Sequence, residues 1–303
     1  MSAERVAILL ATYNGASYLP ALLDSLSEQS HTGWTLLWRD DGSTDGTPEL
    51  LRAFCARHGG IELAGQGQRL GVMENFLTLL RYAVGSSMFD RFAFCDQDDV
   101  WLPHKLDRAL THLRGVQGER PALYCARWVL TDAALSRVGE APAVHTVGFP
   151  APLAQNIATG CTIMLNPPAA ALIGRAIPPR GSVHDWWAYI AVSSAGGTII
   201  VDQEKVLLYR QHGGNTVGVS SFVGRLRNAL QRGMGAFVTL LRAHVRSLLD
   251  QDIATAETRA ILEHMSRQLQ RGFAGRWRLI WMPEFRRQTV IDTLALRIWI
   301  LLG

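Results

Sequence analysis

A chain of 303 residues, 48% hydrophobic and 18% charged, is long enough for one large α/β domain plus an appendage, and its composition excludes a disordered protein. The net charge of +4 is unevenly spread: residues 220–303 hold 13 Arg against 6 Asp plus Glu, while the remainder holds 17 basic against 20 acidic residues. Cys55, Cys95, Cys125 and Cys161 form no CxxC pair, which argues against a zinc site or a disulfide framework and fits small buried hydrophobes in a reducing compartment.

The opening MSAERVAILLATYN places charge before an apolar run too short for a signal segment or a membrane span, so a cytoplasmic protein is expected. VAILLAT (6–12) reads as a buried strand and YLPALLDSL (18–26) as an amphipathic helix. The pattern repeats, with strands at 34–40, 61–65 and 91–95 and helices at 47–59 and 72–85. Strands alternating with helices predict a mostly parallel sheet covered on both faces, with its ligand crevice outside the carboxyl ends of the strands. Beyond Pro121, ALYCARWVLTD and ATGCTIMLN read as further strands and PPAAALIG as a short helix opened by proline. HDWWAYIAVSSAGG reads as a helix ending at glycines, and TIIVD and KVLLYRQH as a strand pair. After residue 220 the pattern is helical and basic, in VGRLRNAL, FVTLLRAHVRSLL and ETRAILEHMSRQLQRG, which divides the chain into regions 1–219 and 220–303.

Three polar loops fall at the carboxyl ends of predicted strands: TYNG, DDGSTDGT and DQDDVW. Crowded carboxylates repel one another and lose hydration, so they call for a cation, a proton or ample water. Mg²⁺ or Mn²⁺ takes oxygen ligands from one or two carboxylates and completes its shell with water and phosphate. In an extended segment, Asp96 and Asp98 point the same way and converge on one ligand while Asp99 turns aside. The competing reading is a solvated turn in which Asp99 caps a helix beginning near Pro103. In RDDGSTDGTPELL, ordinary turn chemistry competes with a base or ribose contact from Asp41. GxGxxG and GxxxxGK[ST] are absent, which disfavours a dinucleotide or P-loop site.

Taken together, ATYNG, DDGSTDGT and a DxDD segment at a strand end resemble the inverting family 2 glycosyltransferases of GT-A fold, over roughly residues 5–215. DQDDVWLPHKL, HDWW and YRQHGGNTVG resemble the rhamnosyltransferase-like subgroup. The resemblance implies a nucleotide-sugar donor, a divalent metal on its diphosphate and inversion at the anomeric carbon. By residue, it implies a nucleobase pocket at Thr12, Tyr13 and Asn14, with Asp41 on the base. Asp96 would face the ribose or the metal, Asp98 would bind the metal, and His212 is a candidate further ligand. Asp185 of HDWW falls at the place of the catalytic base, which takes the acceptor hydroxyl's proton as the diphosphate leaves; read alone, it is an N-cap. Trp187 is a candidate for stacking on the sugar, with core filling as the competing reading for one of the tryptophan pair. Where the subgroup tends to carry a basic residue this chain has Glu74, and Arg69 is a candidate substitute toward the phosphates.

The basic tail GRWRLIWMPEFRRQTVIDTLALRIWILLG lacks the apolar length of a spanning helix and reads as amphipathic helix on an anionic membrane surface, against a core-packed or dimer-forming appendage. The expectation is a metal-dependent transferase extending a lipid-linked bacterial surface glycan from a dTDP- or UDP-sugar, rhamnose first. It would be peripheral at the inner membrane face, without nucleic acid, its homo-oligomeric state open. The rival readings are a silent nucleotide-sugar-binding scaffold and a nucleotidyltransferase, which would carry a Gly- and Arg/Lys-rich loop in place of TYNGASYLP.

Overall fold

Val6 to Leu10 are wholly buried in the first strand, β1 (Val6–Thr12), because the sheet is covered on both sides. Ala7 and Leu9 enter one core and Val6, Ile8 and Leu10 the other, the period-two alternation of a strand. The computed structural model describes residues 4–65, 67–116, 118–212 and 234–303. After β1 come α1 (Leu19–Ser27), β2 (Trp34–Asp40), α2 (Thr47–His58), β3 (Ile61–Glu62), α3 (Val72–Gly85) and β4 (Arg91–Cys95). The strands β3, β2, β1 and β4 lie side by side and parallel, as the alternating pattern predicts.

The second half is mixed. It holds β5 (Val100–Trp101), α4 (Lys105–Arg114), β6 (Ala122–Thr131), β7 (Arg137–Glu140), β8 (Met164–Leu165), α5 (Pro167–Arg175), α6 (His184–Ser194) and β9 (Thr198–Arg210). The sheet runs β3-β2-β1-β4-β8-β6-β9-β5, with β7 paired to β6. Between β4 and β6 the short β8 is antiparallel to both, while β9 runs parallel to β6 and antiparallel to β5.

Two expectations change here. ATGCTIMLN is not one strand: Gly160–Thr162 forms a 3-10 turn and only Met164–Leu165 pairs. The strand pair expected around TIIVD and KVLLYRQH is the single strand β9, whose polar Asp202-Gln203-Glu204 interruption is absorbed where the register to β6 shifts.

The C-terminal helices are α7 (Met234–Asp250), α8 (Ala256–Gln270), α9 (Gly272–Leu279) and α10 (Val290–Leu302). Val238, Leu241, Val245, Leu262 and Leu296 enter the core that also holds Trp187 and Ile190 of α6. These helices thus share a hydrophobic core with the sheet region, each fully buried aliphatic side chain contributing ~1.5–3 kcal/mol. The 219/220 boundary and the VGRLRNAL helix lie outside the described residues. Among the described residues no helix is long and apolar enough to cross a membrane.

Candidate active site

The three polar loops meet at the carboxyl ends of β1, β2 and β4. Gln97 fastens the first to the third: its Oε1 accepts the Tyr13 N–H at 2.9 Å and its Nε2 donates to the Tyr13 carbonyl at 3.0 Å. A Cβ on Gly15 would lie 2.4 Å from Gln97 Oε1, so a larger residue there would displace the Gln97 side chain. The first and second loops are laced by Asn14, whose N–H donates to Ser43 Oγ and whose Oδ1 accepts the Thr44 N–H. Thr12 Oγ1 donates to the Asp40 carboxylate at 2.9 Å.

Asp41 is buried and engaged. Its Oδ1 accepts from Arg39 Nη1 at 3.0 Å and from the Leu70 N–H at 2.6 Å, and its Oδ2 accepts from the Gly71 N–H at 2.8 Å. The carboxylate therefore fixes the segment bearing Arg69, whose guanidinium lies 4.2 Å over the half-exposed Tyr13 ring. Glu74 is occupied by Arg81 at 3.3 Å.

Residues 96–99 form a tight turn, so strand alternation does not apply to them. The expected convergence of Asp96 with Asp98 gives way to a different grouping. Carboxylate oxygens of Asp96 and Asp99 lie within 4.8 Å of each other and of the Cys161 sulfur, while Asp98 Oδ2 faces His212 Nε2 at 2.8 Å. His212 also stacks on Tyr18 with ring centroids 4.3 Å apart. Asp99 does not cap the following helix, which starts at Lys105 with His104 at its N-cap. Instead Asp99 is buried, and its Oδ1 accepts the Arg210 N–H at 3.1 Å. That bond fixes the end of β9 two residues before His212, and so carries the histidine to Asp98.

Burial pushes the Asp99 carboxyl up to about 8, with repulsion from Asp98 adding to it. Asp96 is raised by burial and then by Asp99, Asp98 and Asp185. Lys105 lies beneath this group, wholly buried, with Nζ 3.7 Å from the Trp101 ring centroid and no hydrogen bond to the described residues. Burial lowers its pKa to about 8 against the opposing pull of Cys161, Cys95 and Asp99. Both groups carry donors that suit a hard divalent cation: Asp98 offers oxygen and His212 imidazole in one, and Asp96 and Asp99 offer oxygen in the other, where crowded carboxyls want positive charge. Burial, with Asp99 and Asp96 beside it, raises the Cys161 thiol well above its ordinary range.

Asp185 is in the second position of α6, not its N-cap, which is Val183. Its Oδ1 accepts the Trp186 N–H at 2.6 Å and its Oδ2 the Gly160 N–H at 3.2 Å, and Asn156 supplies a side-chain hydrogen bond. Burial nevertheless raises its pKa to about 6. A Cβ on Gly160 would meet His184 Nε2 at 2.6 Å, so only glycine lets the turn approach α6 this closely. His184 stacks on Phe76 at 4.0 Å, and burial holds it neutral, with a pKa of about 3. One turn therefore supports both halves of the site: Gly160 bonds Asp185, and the adjacent Cys161 bonds the Asp96–Asp99 pair.

The segment before that turn is held from the C-terminal side. Gln288 Oε1 accepts the N–H groups of His145 and Thr146, its Nε2 donates to the Thr146 carbonyl, and Arg287 Nε donates to the Ala154 carbonyl at 2.9 Å.

Trp187 is corrected: it is wholly buried and stacks on His244 at 6.1 Å, so it fills the core and cannot lie on a sugar. Trp186 is the half-exposed member of the pair and donates to the Pro152 carbonyl. Gln97, Lys105, Asn156, Gly160 and Cys161 were not singled out from the sequence. Of these only Lys105 and Gln97 lie within the DQDDVWLPHKL motif; Gly160 and Cys161 sit in ATGCTIMLN, which reads as a strand, and Asn156 lies just before it.

The family model for glycosyl transferase family 2 matches residues 7–131, which span β1 to β6 and all three polar loops. That stretch carries the family's sequence pattern. This glycosyltransferase is 26% identical to a dTDP-rhamnosyl transferase of Shigella flexneri, over 70% of its own length and 74% of the relative's. Staphylococcus aureus TarS, solved in complex with UDP-GlcNAc, superposes with a TM-score of 0.59 at 16% identity, covering 98% of this chain and 81% of TarS. A Pyrobaculum calidifontis mannosyltransferase solved with GDP-Man and Mn²⁺ superposes with a TM-score of 0.54 at 15% identity, covering 97% and 74%. The fold is GT-A, and the glycosyltransferase is an enzyme.

Proposed function

We propose that this glycosyltransferase depends on a divalent cation, Mg²⁺ or Mn²⁺, and inverts the anomeric centre as it moves a sugar from a dTDP- or UDP-sugar, rhamnose first, to a lipid-linked acceptor in bacterial cell-surface polysaccharide synthesis. One observation carries the reading: a carboxylate with a pKa of about 6, Asp185, is joined through the Gly160–Cys161 step to the Asp96–Asp99 carboxyls, beside the Asp98–His212 pair. A sugar hydroxyl is a poor nucleophile, and Asp185 would take its proton as the bond to the anomeric carbon forms. Asp98, His212 and Asp96 would hold the cation, which when bound neutralises charge on the leaving diphosphate. Thr12, Tyr13 and Asn14 would line the nucleobase pocket, Asp41 acting on it through the segment it fixes, with Arg69 over Tyr13 as a cation toward the donor. The dTDP-rhamnosyl relative favours rhamnose over other sugars.

The test is transfer with and without EDTA, in the wild type and in Asp98→Ala. We expect chelation to stop transfer, added Mn²⁺ to restore it, and Asp98→Ala to lose roughly 10²–10³-fold, equivalent to ~3–4 kcal/mol of barrier. Activity indifferent both to EDTA and to Asp98→Ala would overturn the cation role. Thermal stabilisation by a panel of nucleotide sugars with Mn²⁺ tests the donor, and dTDP-rhamnose should stabilise most.

A further inference from the structure

Eight of the fifteen exposed large hydrophobic residues among the described residues lie between Phe273 and Leu302. They are ordered. On α10, Ile291, Leu294, Ile298 and Leu302 follow spacings of three and four and form an outward stripe, opposite the buried Leu296 and Ile300. On α9 and just beyond, Phe273, Trp277 and Trp281 continue at spacings of four, and a groove of about 500 Å³ opens between Phe273, Ala274, Trp277 and Arg278. The two stripes adjoin: the Trp277 and Trp281 rings are 6.1 Å apart, and Arg297 of α10 lies 4.9 Å over Trp281. Residues 271–303 carry six arginines against Glu284 and Asp292 and contain no lysine.

We infer that the outer face of α9 and α10 is a docking surface for an anionic lipid bilayer, with the aliphatic stripe and the tryptophans in the headgroup boundary and the exposed Arg271, Arg278 and Arg286 on lipid phosphates. The inference goes beyond the reading above, and its test uses no sugar donor, so the two fail separately. At 1.5 Å per residue α10 is about 20 Å long, short of the roughly 30 Å hydrocarbon core, so it lies in the plane of the interface. Tryptophan and arginine side by side suit that boundary, where a ring's apolar body and a cation meet headgroups of opposite charge. A second copy of the chain is the poorer occupant, since a two-fold contact would set the arginine-rich patch against itself. The connection from α9 to α10 carries Arg287 and Gln288, which grip the segment leading to Asn156 and Asp185. The seat therefore adjoins the side of the site on which an acceptor hydroxyl meets its base.

The experiment is co-sedimentation of the full chain with phosphatidylcholine vesicles, with and without phosphatidylglycerol. We expect at least about tenfold stronger partition onto the anionic vesicles, weakened by added NaCl. The double variant Trp277→Ser, Ile298→Ser should lose roughly tenfold or more while keeping its circular dichroism, because both side chains are exposed. The inference is overturned by a wild type that stays in the supernatant with both vesicles, by a double variant that binds like the wild type, or by a concentration-dependent dimer that the same substitutions abolish.

Discussion

Replacing Asp185 by Asn keeps the size of the side chain and removes its capacity to accept a proton. The cost to the fold follows from two contacts. The amide oxygen can still accept the Trp186 N–H, but the amide NH₂ then faces the Gly160 N–H, donor against donor. One lost hydrogen bond costs about 1–3 kcal/mol, far below what would unfold a core that the neighbouring Trp187, Tyr189 and Ile190 bury completely. The cost to chemistry is larger, since a positioned general base is worth about 10²–10⁴-fold, or ~2.7–5.4 kcal/mol of barrier. The wild-type rate should fall as pH drops through about 6, where the burial-raised carboxyl takes up its proton and can no longer accept one from the acceptor. In Asp185→Asn that acid limb should vanish, along with roughly 10²–10⁴-fold of transfer. The assay is kcat/KM for transfer from pH 5 to 9, beside donor affinity by calorimetry. A variant that transfers within a few-fold of the wild type, or one that keeps the limb near pH 6, would refute the base assignment. Lost donor binding would instead make Asp185 a donor residue.

Two other substitutions separate support from chemistry. In Gly160→Ala the new methyl meets His184, which Phe76 and Phe94 pin, so we expect about 1–3 kcal/mol of destabilisation, a lower kcat, and an acid limb moved upward as the Gly160 N–H leaves Asp185; unchanged melting and pH profile would contradict the packing. Trp187→Phe should lower thermal stability by about 1–3 kcal/mol and leave donor KM within about twofold, because the ring lies in the core; a large rise in KM at unchanged stability would return Trp187 to the sugar site.

The parallel half of the sheet was readable because its strands are buried on both faces and its helices are amphipathic, two patterns that the order of apolar residues displays. The loops at their carboxyl ends followed from that topology. The mixed half was harder. Nothing local in ATGCT distinguishes a turn from a strand, and its function is to touch residues brought to it from Asp96 and Asp185. Asp99 looks like a cap because carboxylates before helices usually are; only the pairing of β5 with β9, which buries it under Arg210, assigns it to holding His212. Trp186 and Trp187 are chemically identical, and their roles differ solely by which side of α6 meets α7. Lys105 carried no signal, since lysine at a helix start ordinarily faces water.

The hold of Arg287 and Gln288 on residues 145–155 spans more than 130 positions of chain. A polypeptide emerging from its amino end therefore completes the sheet and both acidic loops well before the partners that brace this segment exist. The two regions mature at different times: a nascent chain halted before Arg287 would present finished polar loops beside an unbraced 145–155 segment, and the complete site would wait for the last helix.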